Sequence, residues 1–269
     1  MSDATATPRP AVAGARAETV ENPLFECLLR LGDDRLVLGH RLSEWCGHGP
    51  ILEEDIALSN IALDLIGHAS ALLSLAGTVE AKGRNEDALA YFREGVEFRN
   101  ALIVELPKGD FGLTMVRQFL FDAYSVLLLD ALSHTRDERL AAIAAKCLKE
   151  DKYHLRHSSE WVVRLGDGTD ESHARAQRAL DTLWRYTGEL FEHDGVDEAL
   201  AALGTVVDHE SIRARWRTMV ADVMQRATLT VPADGPMRRG GRTGRHTEHL
   251  GHMLAEMQIV ARSHPGATW

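Results

Sequence analysis

Cysteine, proline and aromatic residues are all scarce in this chain, and each scarcity excludes something. The three cysteines, Cys27, Cys46 and Cys147, show no C-x-x-C spacing, so neither a disulfide framework nor a cysteine-rich zinc module is available. Of the eight prolines, Pro23, Pro50, Pro107, Pro232, Pro236 and Pro265 sit at boundaries, which leaves the segments between them free to run as long helices. Strand-like alternation is nearly absent. Basic charge is the minority sign: 30 Lys and Arg against 40 Asp and Glu give a net charge of −10, which argues against a nucleic-acid partner. No apolar run reads as a membrane span, because Asp64, Asp122 and Asp130 interrupt the longest ones. Residues 1–20 are rich in Ala, Pro and Thr and lack the apolar stretch of a signal peptide. The expectation is a disordered tail on a cytoplasmic protein.

What is present is helical spacing along the whole length, with apolar residues recurring at three and four positions. It predicts helices over about 23–46, 53–77, 85–106, 111–133, 137–165, 171–192, 208–228 and 246–262, in one all-α domain over 21–269. Asp110 and Asp137 stand where an N-cap is needed. The stretch 231–245, with two prolines and four glycines, is expected to be an irregular loop. With the helix after it, it is expected to form an arm that reaches a partner. Two helices, over 54–76 and 111–132, are apolar all round, the mark of a helix inside a bundle or against a partner.

The polar residues inside those helices carry the chemistry. Asn60, Asp64 and His68 share one face of the second helix, and Thr114, Gln118, Asp122 and Ser125 form a row on the fourth. On the fifth, Asp151 and His154 fall on the inward stripe with Glu150 beside them. This is the arrangement of a ferritin-like two-metal bundle, which needs a Glu from each of two helices and a Glu-x-x-His pair from each of the other two. Only Asp151-Lys152-Tyr153-His154 has the spacing; Asp64 is followed three residues later by Gly67, and His68 comes one position late. Asp64, His68, Asp122, Glu150, Asp151 and His154 therefore read as a degenerate metal site. Side-chain cations are expected in place of metal: Arg30, Arg117, Lys146, Lys149, or protonated His68 and His154. The competing reading is a di-iron carboxylate oxygenase or oxidase working through Asp64, Asp122, Asp151 and His154. Arg238, Arg239, Arg242 and Arg245, with His246 and His249, are candidate contacts for an anion or a partner.

Several long segments resemble one family. The run LRLGDDRLVLGHRLSEWCGHGPILEEDIALSNIALDLIGHA (29–69) is similar to the C subunits of bacterial phenylacetyl-CoA epoxidases. So are KEDKYHLRHSSEWVVRLGDGTDES (149–172), LWRYTGELF (183–191), and HTEHLGHMLAEMQ followed by HPGATW. The resemblance implies a ferritin-like fold and a structural, non-catalytic place in a multicomponent monooxygenase, with no cofactor in this chain. It further implies a related A subunit that holds the di-iron centre and the CoA thioester, a small B subunit, and an NADPH-dependent reductase with FAD and an iron–sulfur cluster.

Overall fold

The computed structural model describes residues 21–267, so the expected tail over 1–20 lies outside the described residues. Among the described residues there is no strand. Four long helices build the core: α1 (Pro23–Ser43), α2 (Leu52–Glu80), α5 (Phe111–Leu132) and α6 (Glu138–Gly166). Short elements between and after them are α3 (Glu86–Tyr91), α4 (Leu102–Glu105), α7 (Asp170–Trp184), α8 (Gly195–Ala202), α9 (His209–Arg226) and α10 (Glu248–Ser263). The expected caps are in place, Asp110 accepting from the Leu113 N–H (2.8 Å) and Asp137 from that of Leu140 (3.2 Å).

Side-chain pairings give the direction of each helix. Arg35 of α1 meets Ser125 of α5, and Trp45 just beyond α1 meets Thr114. Asp151 and Ser158 of α6 meet Ser125 and Asp122 of α5. His154 and Glu150 of α6 meet Asp64 and His68 of α2. In every pair one number falls as the other rises, so neighbouring helices run antiparallel and the diagonal pair α2 and α5 runs parallel. A long crossover containing α3 and α4 makes this possible. One long crossover in a four-helix bundle is the ferritin-like topology. Helices α7 and α9 pack on the outer side of α5 and α6, and one continuous apolar core runs through the bundle.

Helices α2 and α5 are long and apolar enough to cross a bilayer by length and composition alone. In the fold α5 is the interior helix, buried nearly throughout. Helix α2 is buried on one side only, and its other side faces out.

The crossover departs from expectation. Spacing predicts one helix over 85–106, but the segment breaks into α3, a single 3₁₀ turn at Gly95–Glu97 and the four-residue α4. Buried carboxylates from elsewhere take the backbone N–H groups that a helix would have used internally. Asp33 accepts from the N–H of Arg99 (2.8 Å), Asp34 from that of Ala101 (2.7 Å) and Glu189 from that of Leu102 (2.7 Å). The sixth expected helix likewise stops at Trp184, giving way to a 3₁₀ turn at Gly188–Phe191 and to α8, which spacing does not reveal. Segment 231–245 is irregular apart from a 3₁₀ turn at Gly241–Thr243. It is tightly held: a Cβ at Gly241 would stand 2.1 Å from the Asn100 carbonyl oxygen, so only glycine lets the two loops touch.

Candidate functional site in the bundle core

Helix α6 places Asp151, His154 and Ser158 on one inward face, since residues three and four apart lie over one another. Helix α5 presents Gln118, Asp122 and Ser125 against them, and α2 presents Asp64 and His68. Asp122 is fully buried, both its oxygens occupied: Gln118 Nε2 donates to Oδ1 and Ser158 Oγ to Oδ2, each at 2.7 Å. Asp151 accepts from Ser125 Oγ at 2.5 Å through Oδ2. Its Oδ1 faces two imidazoles, 3.6 Å from His68 Nδ1 and 3.5 Å from His154 Nδ1, and none of these three atoms has a hydrogen-bond partner. The far nitrogens point toward the surface, His68 Nε2 to Glu150 and His154 Nε2 to Asp64 at 3.1 Å. Six positions named from the sequence are thus brought together, with Asp64 and Glu150 at the half-exposed rim.

The cation in the middle is Arg35, which sequence reasoning missed. Its guanidinium donates to Ser125 Oγ (2.9 Å) and to the Leu31 carbonyl (3.1 Å), and stands 3.8 Å from Asp151 Oδ2, both side chains 1% exposed. The four expected cations are elsewhere. Arg30 forms a two-point pair with Asp194 at 3.1 and 2.6 Å. Arg117 is buried, but it donates to the carbonyls of Leu106 (2.6 Å) and Pro107 (3.2 Å), and burial together with neighbouring Arg41 lowers its pKa to about 10. Lys146 and Lys149 project into solvent on the outer side of α6. A signal for Arg35 was present in the sequence: Asp33-Asp34-Arg35 interrupts an otherwise apolar stretch of α1, and all three side chains are buried.

Electrostatics divide the cluster unevenly. Burial opposes charge on His154, but Asp151, Asp122 and Asp64 outweigh it and raise its pKa to about 9. His68 goes the other way, burial lowering it despite Asp151. For Asp151, burial is outweighed by His154 and Arg35, and the carboxyl is lowered. Asp122 is raised to about 7 by burial, with the charge of Asp151 adding to the effect. At neutral pH the core therefore holds Arg35 and protonated His154 around ionised Asp151, while Asp122 sits near its titration midpoint.

This donor set does not fit a two-metal centre. Such a centre needs carboxylates from all four helices converging on a pair of ions. Here α1 contributes a guanidinium, both oxygens of Asp122 are taken, and Glu150 turns out to the rim against His68. What remains is one carboxylate oxygen facing two imidazoles.

Of the six residues expected to meet an anion or a partner, Arg242 and His246 are turned inward. Arg242 donates to both oxygens of buried Asp34 (2.9 and 2.8 Å) and to the Arg99 carbonyl (2.9 Å). His246 bridges Glu105 (2.7 Å) and the Phe98 carbonyl (3.0 Å), and the His249 carbonyl accepts from Arg41 (2.9 Å). Arg239 pairs with Glu192 at 2.8 Å, and Arg238 and Arg245 stay exposed. His157, spaced as a second ligand beside His154, goes instead to Glu54 at 2.8 Å.

Comparison with known proteins agrees with the bundle topology. The family model described as "Phenylacetic acid catabolic protein" matches residues 12–269. The C subunit of 1,2-phenylacetyl-CoA epoxidase from Escherichia coli (strain K12) is 50% identical over 248 residues, covering 92% of this chain and 100% of that protein. A match of that extent, on a chain folded as a ferritin-like bundle, places it in the phenylacetic acid catabolic protein family.

Proposed function

We propose that this chain is the non-catalytic C-type component of a cytoplasmic 1,2-phenylacetyl-CoA epoxidase, supporting a di-iron A subunit of the same fold. The observation that carries the reading is Arg35. A guanidinium hydrogen-bonded between Ser125 and Leu31, beside Asp151, supplies the positive charge that metal supplies in a catalytic bundle. It also blocks the approach of cations, since a buried charge is tolerated only when paired.

The outer side of α2 supports the partner half of the reading. Leu52, Ile56, Asn60, Leu63, Gly67, Ser70, Ser74 and Thr78 form one exposed stripe at spacings of three and four. Leu52 and Leu63 are 71% and 66% exposed, and Tyr153 of α6, 72% exposed, flanks the same face. Large apolar residues at one end and small ones at the other suit a second helix lying along the stripe. An obligate contact of this type buries roughly 2,000 Å² or more. A small B subunit, together with an FAD- and iron–sulfur-containing reductase that uses NADPH, completes the proposed assembly.

A second reading, an oxidase active in its own right through Asp64, Asp122, Asp151 and His154, draws on the three partnerless atoms of His68, Asp151 and His154. Elemental analysis separates the two. Purified alone from iron-rich medium, the chain should hold well under one iron, and it should consume no oxygen with phenylacetyl-CoA and reductase. Co-expressed with an A-type partner, it should co-purify as a stable complex. Stoichiometric loading with two irons would overturn the non-catalytic reading.

A further inference from the structure

Outside the bundle core, the described residues bring one more set of metal-binding side chains together. His193 lies just before α8, Asp197 in its first turn, and His209 at the first position of α9. Their ligating atoms all lie within 4.8 Å of one another, with His209 Nε2 3.0 Å from Asp197 Oδ1. We propose that His193, Asp197 and His209 form a three-ligand site for a divalent transition metal of the zinc type, clipping α8 to α9.

The donor chemistry suits such an ion. Two imidazoles and one carboxylate are a common set for borderline cations, with metal–ligand distances of about 2.0–2.2 Å and a fourth position left to water. In tetrahedral geometry those distances put ligand atoms roughly 3.3–3.5 Å apart. The 3.0 Å pair needs only a small opening, and exposed His193 is free to turn in from its side. The surroundings hold the carboxylate ligand as outer partners usually do. Asp197 accepts from the Asp194 N–H (3.0 Å) through Oδ2, which leaves Oδ1 to the site. Asp194 is itself fixed by its two-point pair with Arg30. Without metal, His209 Nε2 donates to Asp197 Oδ1, and a metal taking that nitrogen displaces its proton, to solvent or to the partnerless Nδ1.

Most of the positive charge nearby is already paired, although exposed Arg245 lines the groove beside His193. Arg30 is held by Asp194, Arg239 by Glu192 (2.8 Å), and Arg213 lies 3.8 Å from Asp234. The exposed His193 edge opens on the groove shared with Arg213 and Arg239, of about 520 Å³, which gives an ion a path in. The clip has a structural purpose: the connector from Leu203 to Asp208 is irregular and carries exposed Leu203 and Val206, and a metal would fasten the start of α8 to the start of α9, closing the loop that contains it.

The test is a Co²⁺ titration of the full-length, chelator-treated chain, followed by visible absorption, with Zn²⁺ competition and thermal melting alongside. The expected result is one equivalent bound with a tetrahedral cobalt spectrum, displaced by Zn²⁺, and a higher melting temperature with Zn²⁺. His193→Ala changes an exposed side chain and so leaves the fold intact; it should weaken Co²⁺ binding by about tenfold or more and abolish the thermal gain, as should Asp197→Asn. His252→Ala, which removes an exposed histidine on α10, should change neither. Absence of stoichiometric binding, or binding that survives His193→Ala combined with His209→Ala, would overturn the proposal.

Discussion

Arg35 and Asp151 are mutually dependent, because neither charge can reach water. Replacing Arg35 by Ala should cost about 3–5 kcal/mol, the range for breaking a buried pair by removing one partner, read as a shift in urea unfolding. Lysine should not rescue it, having no planar fork to span Ser125 and the Leu31 carbonyl at once. Asp122 is a different case. Its carboxyl is raised to about 7, so Asp122→Asn should cost less than Asp122→Ala, keeping an acceptor for Ser158 or Gln118.

The same cluster sets a pH dependence of definite sign. A histidine raised to about 9 stabilises the fold fully below its ordinary 6.5, and that contribution is lost as pH rises through 9. Asp122 acts in the same direction at lower pH. Its raised pKa favours the protonated form in the fold, a preference lost between its ordinary 3.8 and about 7. The urea midpoint should therefore fall between pH 6.5 and 9, and His154→Gln should flatten that fall. A midpoint that rises over this range would contradict the charge assignment.

Among the helices, what spacing can reveal depends on where each segment's backbone partners lie. The long helices α1, α2, α5 and α6 satisfy their own N–H groups, so periodicity and caps outline them well. The crossover 85–106 has the same apolar spacing, yet its N–H groups go to Asp33, Asp34 and Glu189, residues distant in sequence that no local pattern reveals. The core cluster was legible for a related reason. Asp64, His68, Asp122, Asp151 and His154 share faces within their own helices, which spacing detects. Arg35 escaped because its role depends on contact between α1 and α5. His193, Asp197 and His209 escaped because α8 itself was not foreseen.

The α2 stripe makes a separable prediction. A Cβ at Gly67 would meet nothing within 4 Å in this chain, and leucine is the better helix former by somewhat under ~1 kcal/mol. Gly67→Leu should therefore leave the isolated chain as stable or slightly more so, while blocking close approach of a partner helix. The check is a melting curve beside a pull-down with the A-type partner; unimpaired co-purification would remove α2 from the interface.

Taken whole, the molecule is fastened by its C-terminal segment. The loop and helix after Val231, expected as an arm reaching toward a partner, also make extensive contacts with their own chain. Arg242 neutralises Asp34, His246 and the Thr247 N–H serve Glu105, and the Gly240 N–H serves Glu189. Deleting 231–269 should strip three buried carboxylates of partners and unfold much of the crossover, seen as lost helical ellipticity and a broadened melt. A truncated chain with an unchanged spectrum would show these contacts to be dispensable.

The Asp34–Arg242 pair also fixes when this protein can finish folding. The two residues are 208 positions apart, and a ribosome adding about 5–20 residues per second needs roughly 10–40 s to cover that distance. Through that interval α1 has been made but the acid at its centre has no counter-ion, and the crossover cannot take its final path. Completion of the bundle therefore waits at least until Arg242 has been made, and before then α1 and the crossover are exposed to whatever else can satisfy a buried acid.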